Sequence, residues 1–579
     1  METGFSKIEH RYYESLLAMH RIGQVSNEEI GFVAAQMNGP DAGFVGAAGA
    51  GFVNTKELTV MKYDEAMRTG DKEEWDKAVL AEKQKMDKYS VLKQVYIKDL
   101  PKHAKILTTT WAMKKKANGV FRARMNARGF EQQKGIHYDP DGLAAPVANE
   151  ITIRIALTLM MMANWYAYMI DHVGAFLHGR FGAGEEIYIS VPQGFEKFYP
   201  PGVVLQLERT LYGTKQAAAQ YWKENLKCFK DMGYNRSKAD PCLQYKWIDG
   251  RLILWLTWVD DLLNLGNKED VLKEKEEMKE RFECDDVGEA KEYIGCKLTR
   301  KGNSLKLTQP VLIQSFEDEF DLPKEKFETP AAPGSILVEE GEDKYVSKEE
   351  MQIYRRGVGK LLFLTRWSRP DIYNAVRECS RFGGRTTEQH MKQMKRTMKF
   401  CVCTKDRGLT FSPKNGWDGR NKHKFRIVGE SDSDYAKDPI TRRSVSGWNV
   451  KLDDSVVSFK SKMMPVVALS VTEAELFAAT ACVQDMLYVK KVVESMGLEV
   501  ELPMVLKVDN QGARDLMNNW SVGGRTRHVE VKQYFIRDLK EAGWLVIEWI
   551  PTDEMTSDIF TKNLGGPLYG KHSNVLTSE

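Results

Sequence analysis

The sequence predicts an α+β protein of several domains, and three observations carry that prediction. At 579 residues the chain exceeds what one hydrophobic core serves, and a prior of ~150 residues per domain gives three or four units. A hydrophobic content of 42% with 28% charged residues is that of globular domains. Segments with an apolar period of two alternate with longer segments of helical period, so strands and helices share the same units.

Composition also narrows the function. The net charge is only +3, so a nucleic-acid site must rest on local basic clusters. Eight cysteines run from Cys228 to Cys482, and Cys401-x-Cys403 is their sole close pair, without zinc spacing. Ordinary reduced thiols and an intracellular location are therefore expected. The opening residues have no secretory core, and the longest apolar stretch, 155–163, falls far short of the ~20 residues that span a bilayer. No membrane insertion is expected.

Taken in order, residues 1–60 include GPDAGFVGAAGAGF, a Gly/Ala-rich run with little to pack, expected as a flexible lead-in. Near Asp71, Trp75, Val79, Met86 and Tyr89 share one helical face, which reads as packing. Thr108 to Gly129 reads as strand, Asn-Gly turn, strand. In the second strand Phe121, Ala123, Met125 and Ala127 alternate with Arg122, Arg124, Asn126 and Arg128. Period two puts the arginines on one face, as a solvated surface or a phosphate clamp. A helix over 151–163 leads to a strand over 165–170 that ends at Asp171, a good place for a metal ligand, with Phe176 beside it. Leu211 to Trp222 opens a helix whose first turn is expected to carry Lys215 and Gln216, within reach of a phosphate or a base edge.

In RLILWLTWVDDLLNLG (251–266) two apolar runs flank an acidic pair, the pattern of a buried hairpin with Asp260 and Asp261 at its tip. Two carboxylates ~4 Å apart repel by roughly 4 kcal/mol at an effective dielectric of about 20, so a cation such as Mg²⁺ between them is one reading and a simple turn the other. Asp285-Asp286 and Asp453-Asp454 lack the apolar flanks and are set aside. Residues 268–282 form a charged helix. Residues 322–350, with Pro323, Thr329-Pro330 and Pro333-Gly334, are a linker by composition, and 354–382 a helical connecting segment. From Phe425 come three strands, a helix capped by Ser470 with Glu473 three residues on, strand MVLKV, a helix after Asp509, helix RHVEVKQYFIRDLKEAG, strand WLVIEWI and a last helix from Thr552. Asp432, Glu475, Asp509 and Asp558 occupy informative places in this series. Glu475 shares a helical face with Ala479, Cys482 and Met486, so its charge needs a partner. Asp434 rivals Asp432 from two residues away.

MIDHVGAFLHG, LYGTKQAAAQYW and WLTWVDD, in this order, resemble the reverse transcriptase of copia-type LTR retrotransposons. The likeness runs from about Tyr63 onward through FRARMNARGFEQQKGIHYDP, DVGEAKEYIGCKL and YRRGVGKLLFLTRWSRPDI. SDSDYA, SVTEAELFAA, VDNQGA and MTSDIFTK resemble the same family's ribonuclease H.

The resemblance implies a right-hand polymerase of fingers, palm and thumb over 61–322, a linker and connection region over 323–424, and a ribonuclease H-like α/β domain over 425–579. It makes Asp171, Asp260 and Asp261 the catalytic, metal-holding carboxylates of the palm, and Asp432, Glu475, Asp509 and Asp558 those of the nuclease. Each site would hold two Mg²⁺, with Mn²⁺ also accepted by carboxylate ligands. Phe176 resembles the steric gate against a 2′-hydroxyl. Lys215, Gln216 and the fingers arginines Arg122, Arg124 and Arg128 would bind the nucleotide. Trp258 would position the primer, and Arg525, Arg527, His528 and Lys532 would contact the hybrid backbone. The implied partners are RNA template, DNA primer, RNA/DNA hybrid and deoxynucleoside triphosphates, met in a cytoplasmic particle or the nucleus. Pro192-Gln193-Gly194 superficially resembles a retroviral glutamine block but lies before the helix and is read as a decoy. Trp258 stands where the family has Tyr, His172 where it has Val, and Ala218 where it has Pro. The family's capsid, protease and integrase parts do not accompany these blocks, so a processed product or a fragment of a longer polyprotein is expected. An inactive remnant that still binds nucleic acid is the alternative to an active enzyme.

Overall fold

A computed structural model of the chain describes residues 60–102, 104–115, 119–140, 143, 145–182, 184–259, 261–518 and 530–579. The Gly/Ala-rich lead-in through residue 59 lies outside the described residues, as do Asp260, Arg525, Arg527, His528 and the side chain of Lys532.

Helix α1 (Lys72–Lys88) buries Trp75, Ala78, Val79, Glu82 and Met86. It packs on the hairpin of β1 (Thr109–Lys115) and β2 (Phe121–Ala127), where the Trp75 and Phe121 rings meet edge to face at 4.6 Å. Ala123, Met125 and Ala127 point into this core, so the alternating Arg122 and Arg124 share the other face. Arg128 follows the last residue of β2 and is exposed.

Helix α2 (Glu150–Met162) is buried along its whole length. A helix with apolar residues on every face is one packed on every side; α2 lies between two sheets, and its few polar residues, Glu150 and Arg154 among them, are buried with it. The first is built from β3 (Tyr166–His172), β4 (Leu243–Ile248), β5 (Arg251–Trp258), β6 (Asp261–Gly266) and β7 (Cys284–Glu289), with the short strand Asn235–Arg236 at one edge. Its order is β7-β3-β6-β5-β4, antiparallel throughout. Period two sorts its side chains. Ile170, Ile253, Trp255 and Leu262 pack on α3 (Ala217–Asp231) and α4 (Lys268–Arg281), while Met169, Leu254, Leu256 and Leu263 face α2. Helix α3 starts at Ala217 with Gln216 as its N-cap, so Lys215 and Gln216 precede the first turn that was expected to carry them. Their side chains are committed to tertiary contacts described below, which fixes the chain there in a turn.

Helices α5 (Lys348–Trp367), α6 (Tyr373–Ser380) and α7 (Glu388–Cys403) form the connecting segment, and a Ser347–Glu350 capping box starts α5. Residues 322–347 carry almost no regular structure, yet part of this stretch is fastened. Gln393 and Thr397 of α7 each donate to the buried Pro330 carbonyl at 3.0 Å.

The second sheet comprises β8 (Ile427–Asp434), β9 (Val445–Leu452), β10 (Ser455–Met463), β11 (Met504–Val508) and β12 (Leu545–Trp549), in the order β10-β9-β8-β11-β12. The first three pair antiparallel, and β8, β11 and β12 pair parallel. Helix α8 (Val471–Ser495) covers one face. Ser470 accepts from the Glu473 amide and Glu473 accepts from the Leu469 amide at 2.7 Å. After α9 (Gln511–Asn518), α10 (Glu530–Glu541) and β12, the chain makes 3₁₀ turns at Thr552–Glu554 and Thr556–Phe560, and α11 (Gly566–Leu576) begins only later. The continuous helix expected from Thr552 is therefore corrected. Gly565 and Pro567 set its start, and Asp558 sits in a tight turn instead.

The two sheets share one core through α2 and α5. At their junction Glu150 pairs with Lys460 of β10 at 2.6 Å and with Arg366 of α5, while Arg154 donates to the Val457 carbonyl at 3.3 Å. Burial opposes the charge on Glu150, but Lys460, Arg366 and Arg154 outweigh it and hold the carboxyl far below its ordinary range.

Candidate active sites

The first site is set by strand register. Asp261 opens β6 directly opposite Asp171 on β3, and opposite Trp258 on its other side. Directly opposed residues of an antiparallel pair share a face, with Cα atoms ~4.5–5.5 Å apart. The acidic hairpin leaves β5 at Val259. Val259 has φ +57°, a left-handed conformation that a β-branched residue adopts at a cost of about 1–3 kcal/mol. Asp261 is buried and Asp171 half-buried. The Trp258 ring packs edge to face on Trp367 of α5 at 5.6 Å, so this indole is turned into the core. Phe176 is half-buried two residues beyond Gly174, its ring 5.5 Å from Tyr212 and 6.1 Å from Tyr221. His172 hydrogen-bonds Tyr221 at 2.8 Å and stacks on Phe282 at 4.5 Å. Burial, then repulsion by His178, pushes its pKa down to about 3, so it is neutral packing beside the site.

Arg124 lies over the Tyr212 ring at 5.1 Å, whereas Arg128 stands 4.0 Å from Glu131. The structure thus separates Arg128 from the other two arginines. Gln216 is buried; it donates to the His137 carbonyl at 2.8 Å and accepts from Gln132 at 2.9 Å. Lys215 reaches Tyr138 at 2.8 Å. These bonds clasp the loop after β2 to the start of α3. A Cβ at Gly213 would fall 2.2 Å from the Ala127 carbonyl, so only glycine allows this approach.

One residue here escaped the sequence reading, and another was set aside by it. Lys85 of α1 lies with its Cε against Gly174, and burial lowers its pKa amid the charges of Glu82, Arg122, Arg124 and Asp171. The available signal was Glu82 and Lys85 three apart on the packed side of an amphipathic helix. Asp285 on β7 is directly opposite Asp171, which continues the acidic row across three strands. Its neighbour Asp286 is engaged by Lys275 at 3.1 Å.

The second site converges from four elements. Asp432 on β8, Asp509 after β11 and Asp558 in the 3₁₀ turn each offer a carboxylate oxygen, all within 4.8 Å of one another. Glu475 of α8 is held beside them by the Ser433 amide at 3.2 Å and hydroxyl at 2.8 Å. Burial, then repulsion from Asp509, pushes Glu475 up to about 8. Burial, with Glu475 and Asp558 adding, raises Asp432 well above the carboxylate range. Asp434 turns instead to Lys437 at 2.5 Å, which decides between the two rivals. Gly447, cross-strand from Asp432, has no side chain to hold off the turn carrying Asp558; a Cβ there would meet Thr561 at 2.7 Å and Phe560 at 2.8 Å. Lys562, also unassigned from sequence, enters the cluster at 2.8 Å from Asp558. An all-oxygen set this compact suits a hard divalent cation such as Mg²⁺ or Mn²⁺.

The palm-like sheet with cross-strand aspartates and the mixed sheet with four convergent acids are two acidic centres of one α+β, multidomain chain, and the comparisons place that chain in the reverse transcriptase class. Residues 93–332 match the family described as reverse transcriptase (RNA-dependent DNA polymerase). The Retrovirus-related Pol polyprotein from transposon TNT 1-94 of Nicotiana tabacum is 30% identical over 530 residues, covering 88% of this chain and 39% of that one. The Pol polyprotein from transposon RE1 of Arabidopsis thaliana is 28% identical over 471 residues, covering 80% and 31%. The structure of a foamy viral protease-reverse transcriptase in complex with double-stranded DNA aligns over 83% of this chain and 70% of that one, with 9% identity and a TM-score of 0.42. The chain belongs to the Pol polyproteins of copia-type retrotransposons, and it spans less than two fifths of the length of these curated relatives.

Proposed function

We propose that this chain is an RNA-directed DNA polymerase whose C-terminal domain hydrolyses the RNA strand of RNA/DNA hybrids. The observation that carries the reading is the pairing of Asp261 with Asp171 across adjacent strands, which joins two acids ninety residues apart in sequence. On this reading fingers, palm and thumb occupy 61–322, the connection 323–424 and the nuclease 425–579.

In the polymerase, Asp171 and Asp261, with Asp260, would hold two Mg²⁺ through their carboxylate oxygens. Those ions, when bound, lower the pKa of the primer 3′-hydroxyl and offset charge on the departing pyrophosphate. Arg122, Arg124 and Lys85 form a basic wall for the triphosphate, Phe176 excludes a 2′-hydroxyl, and Gln216 and Lys215 hold the fingers loop that borders the nucleotide. In the nuclease, Asp432, Glu475, Asp509 and Asp558 are the ion ligands. A water oxygen joins the scissile phosphorus, the bond from phosphorus to O3′ breaks, and the RNA is left with a 3′-hydroxyl and a 5′-phosphate. Arg525, Arg527, His528 and Lys532 contact the hybrid, and the 2′-hydroxyls mark its RNA strand. No described helix is long and apolar enough to cross a membrane; a cytoplasmic particle or the nucleus is the proposed setting.

The test is Mg²⁺-dependent extension of oligo(dT) on poly(rA). Extension by the folded wild-type chain and its loss in Asp261→Asn support the polymerase. Absence of both extension and RNA cleavage, with hybrid binding intact, would leave the inactive-remnant reading.

A further inference from the structure

Lys562 lies one helical step beyond Asp558, and its ammonium enters the carboxylate cluster of the nuclease domain. Nζ is 2.8 Å from one oxygen of Asp558 and 3.4 Å from each oxygen of Asp432. The adjoining residue is fixed on both sides: the Thr561 hydroxyl donates to Asp432, and Lys437 donates to the Thr561 carbonyl at 3.4 Å. About a third of the Lys562 side chain remains exposed, so the lysine reaches the site from its solvent edge.

Charge gives this placement a second meaning. Without an ion, the ammonium is the cation that lets Asp432 and Asp558 stay close. Two divalent ions cancel the four carboxylates, and a bound hybrid then brings the negative charge of its scissile phosphodiester. Asp432 and Asp558 now have stronger cations, and the phosphate is the anion left to match. A lysine stem has four flexible carbons and a compact charge, so the ammonium can turn outward by a few bond rotations.

We propose that Lys562 is a two-position cation: it braces Asp432 and Asp558 in the metal-free nuclease, and in the loaded complex it moves to a non-bridging oxygen of the RNA phosphate being cleaved. This rests on the nuclease reading above. It makes Lys562 a substrate-contacting residue as well as a competitor for the metal ligands, and these roles have opposite signs when the charge is removed.

The test uses the full chain in an Asp261→Asn background, which silences the palm metal site, with Lys562→Met and Lys562→Arg, Mn²⁺ titrated calorimetrically without nucleic acid, and cleavage of an RNA/DNA hybrid at saturating Mg²⁺. Lys562→Met is expected to tighten Mn²⁺ binding on the order of tenfold, since a like charge leaves the site, and to lower the cleavage kcat by roughly 10²-fold. Lys562→Arg restores most of kcat. A lysine that merely pins the fold predicts instead that Lys562→Met weakens Mn²⁺ binding and cleavage together, and that result overturns the proposal, as does unchanged Mn²⁺ affinity. Asp509→Asn separates the two levels. If it abolishes Mn²⁺ binding while Lys562→Met gives a wrong sign, only the lysine's role fails. If it leaves Mn²⁺ affinity untouched, the nuclease reading fails and this proposal with it.

Discussion

The palm aspartates are neighbours because their strands are neighbours: Asp261 and Asp171 face each other through one antiparallel register, and Asp285 extends the row. The acids of the C-terminal domain come from a strand, a helix, a loop and a 3₁₀ turn: the parallel register of β8 and β11 runs up to Ser431 and Val508, just before Asp432 and Asp509, and packing of a helix and a turn adds Glu475 and Asp558. The difference shows in what surrounds them. The palm pair has Trp258 beside it in the register, its ring against Trp367, and Asp171 acts on Lys85 of α1, which also senses Arg122 and Arg124 of β2. The nuclease cluster carries its own cation, Lys562, and still holds Glu475 and Asp432 far above their usual pKa. A register tolerates loss of one carboxylate without losing its geometry; a convergent cluster depends on mutual charge balance.

Single-acid variants break this comparison most sharply. Asp261→Asn should lower primer extension by roughly 10³-fold or more while leaving RNA cleavage within about twofold, and Asp509→Asn should do the reverse, as read by paired extension and cleavage assays on the same preparations. A common loss of both activities would mean that the sites are not independent.

The seam between the two regions comes next. Glu150→Gln leaves the buried Arg154 and the half-buried Lys460 and Arg366 without their shared anion; removing one member of a fully buried pair costs about 3–5 kcal/mol, and the water that reaches Lys460 and Arg366 brings the expected loss below that range. Urea unfolding should show that loss, with palm and nuclease melting at separate midpoints if the seam is what joins them.

Phe176→Ala opens the side of the palm pocket bounded by Tyr212 and Tyr221. Ribonucleotide incorporation relative to deoxynucleotide should rise about 10²-fold in single-nucleotide extension, with RNA cleavage unchanged.

The smallest expected effect is a pH dependence. Glu475, raised to about 8, carries a proton at neutral pH in the metal-free nuclease, and a metal ligand must give its proton up. Mn²⁺ affinity at this site should therefore increase with pH, by up to about tenfold per unit below that pKa, and level off above it. Proton release measured calorimetrically in two buffers checks the sign. The same raised pKa means that metal-free stability from this group is present below the unfolded carboxylate pKa of 4.5 and declines as pH rises toward 8.

Local chemistry in the chain set one of the three Asp-Asp pairs apart by its apolar flanks, although Asp285 of a pair set aside also reaches Asp171. The apolar runs flanking Asp260-Asp261 demanded a buried hairpin, whereas Asp453 and Asp454 form a polar turn with φ +42° and +70°. Alternation put Arg122 and Arg124 on one face, and the apolar heptad of α8 showed that Glu475 had to be buried. Periodicity exposes such features because it depends on neighbours within a few residues. It could not see that Asp285 would join Asp171, since strand order is set by which edges pair across more than a hundred residues. Nor could it see that Gln216 would be spent on a fingers loop, that Lys85 would cross to the palm, or that Lys562 would enter an acidic cluster. Those outcomes follow from close packing and charge balance among distant segments, which only the folded chain brings within range of one another.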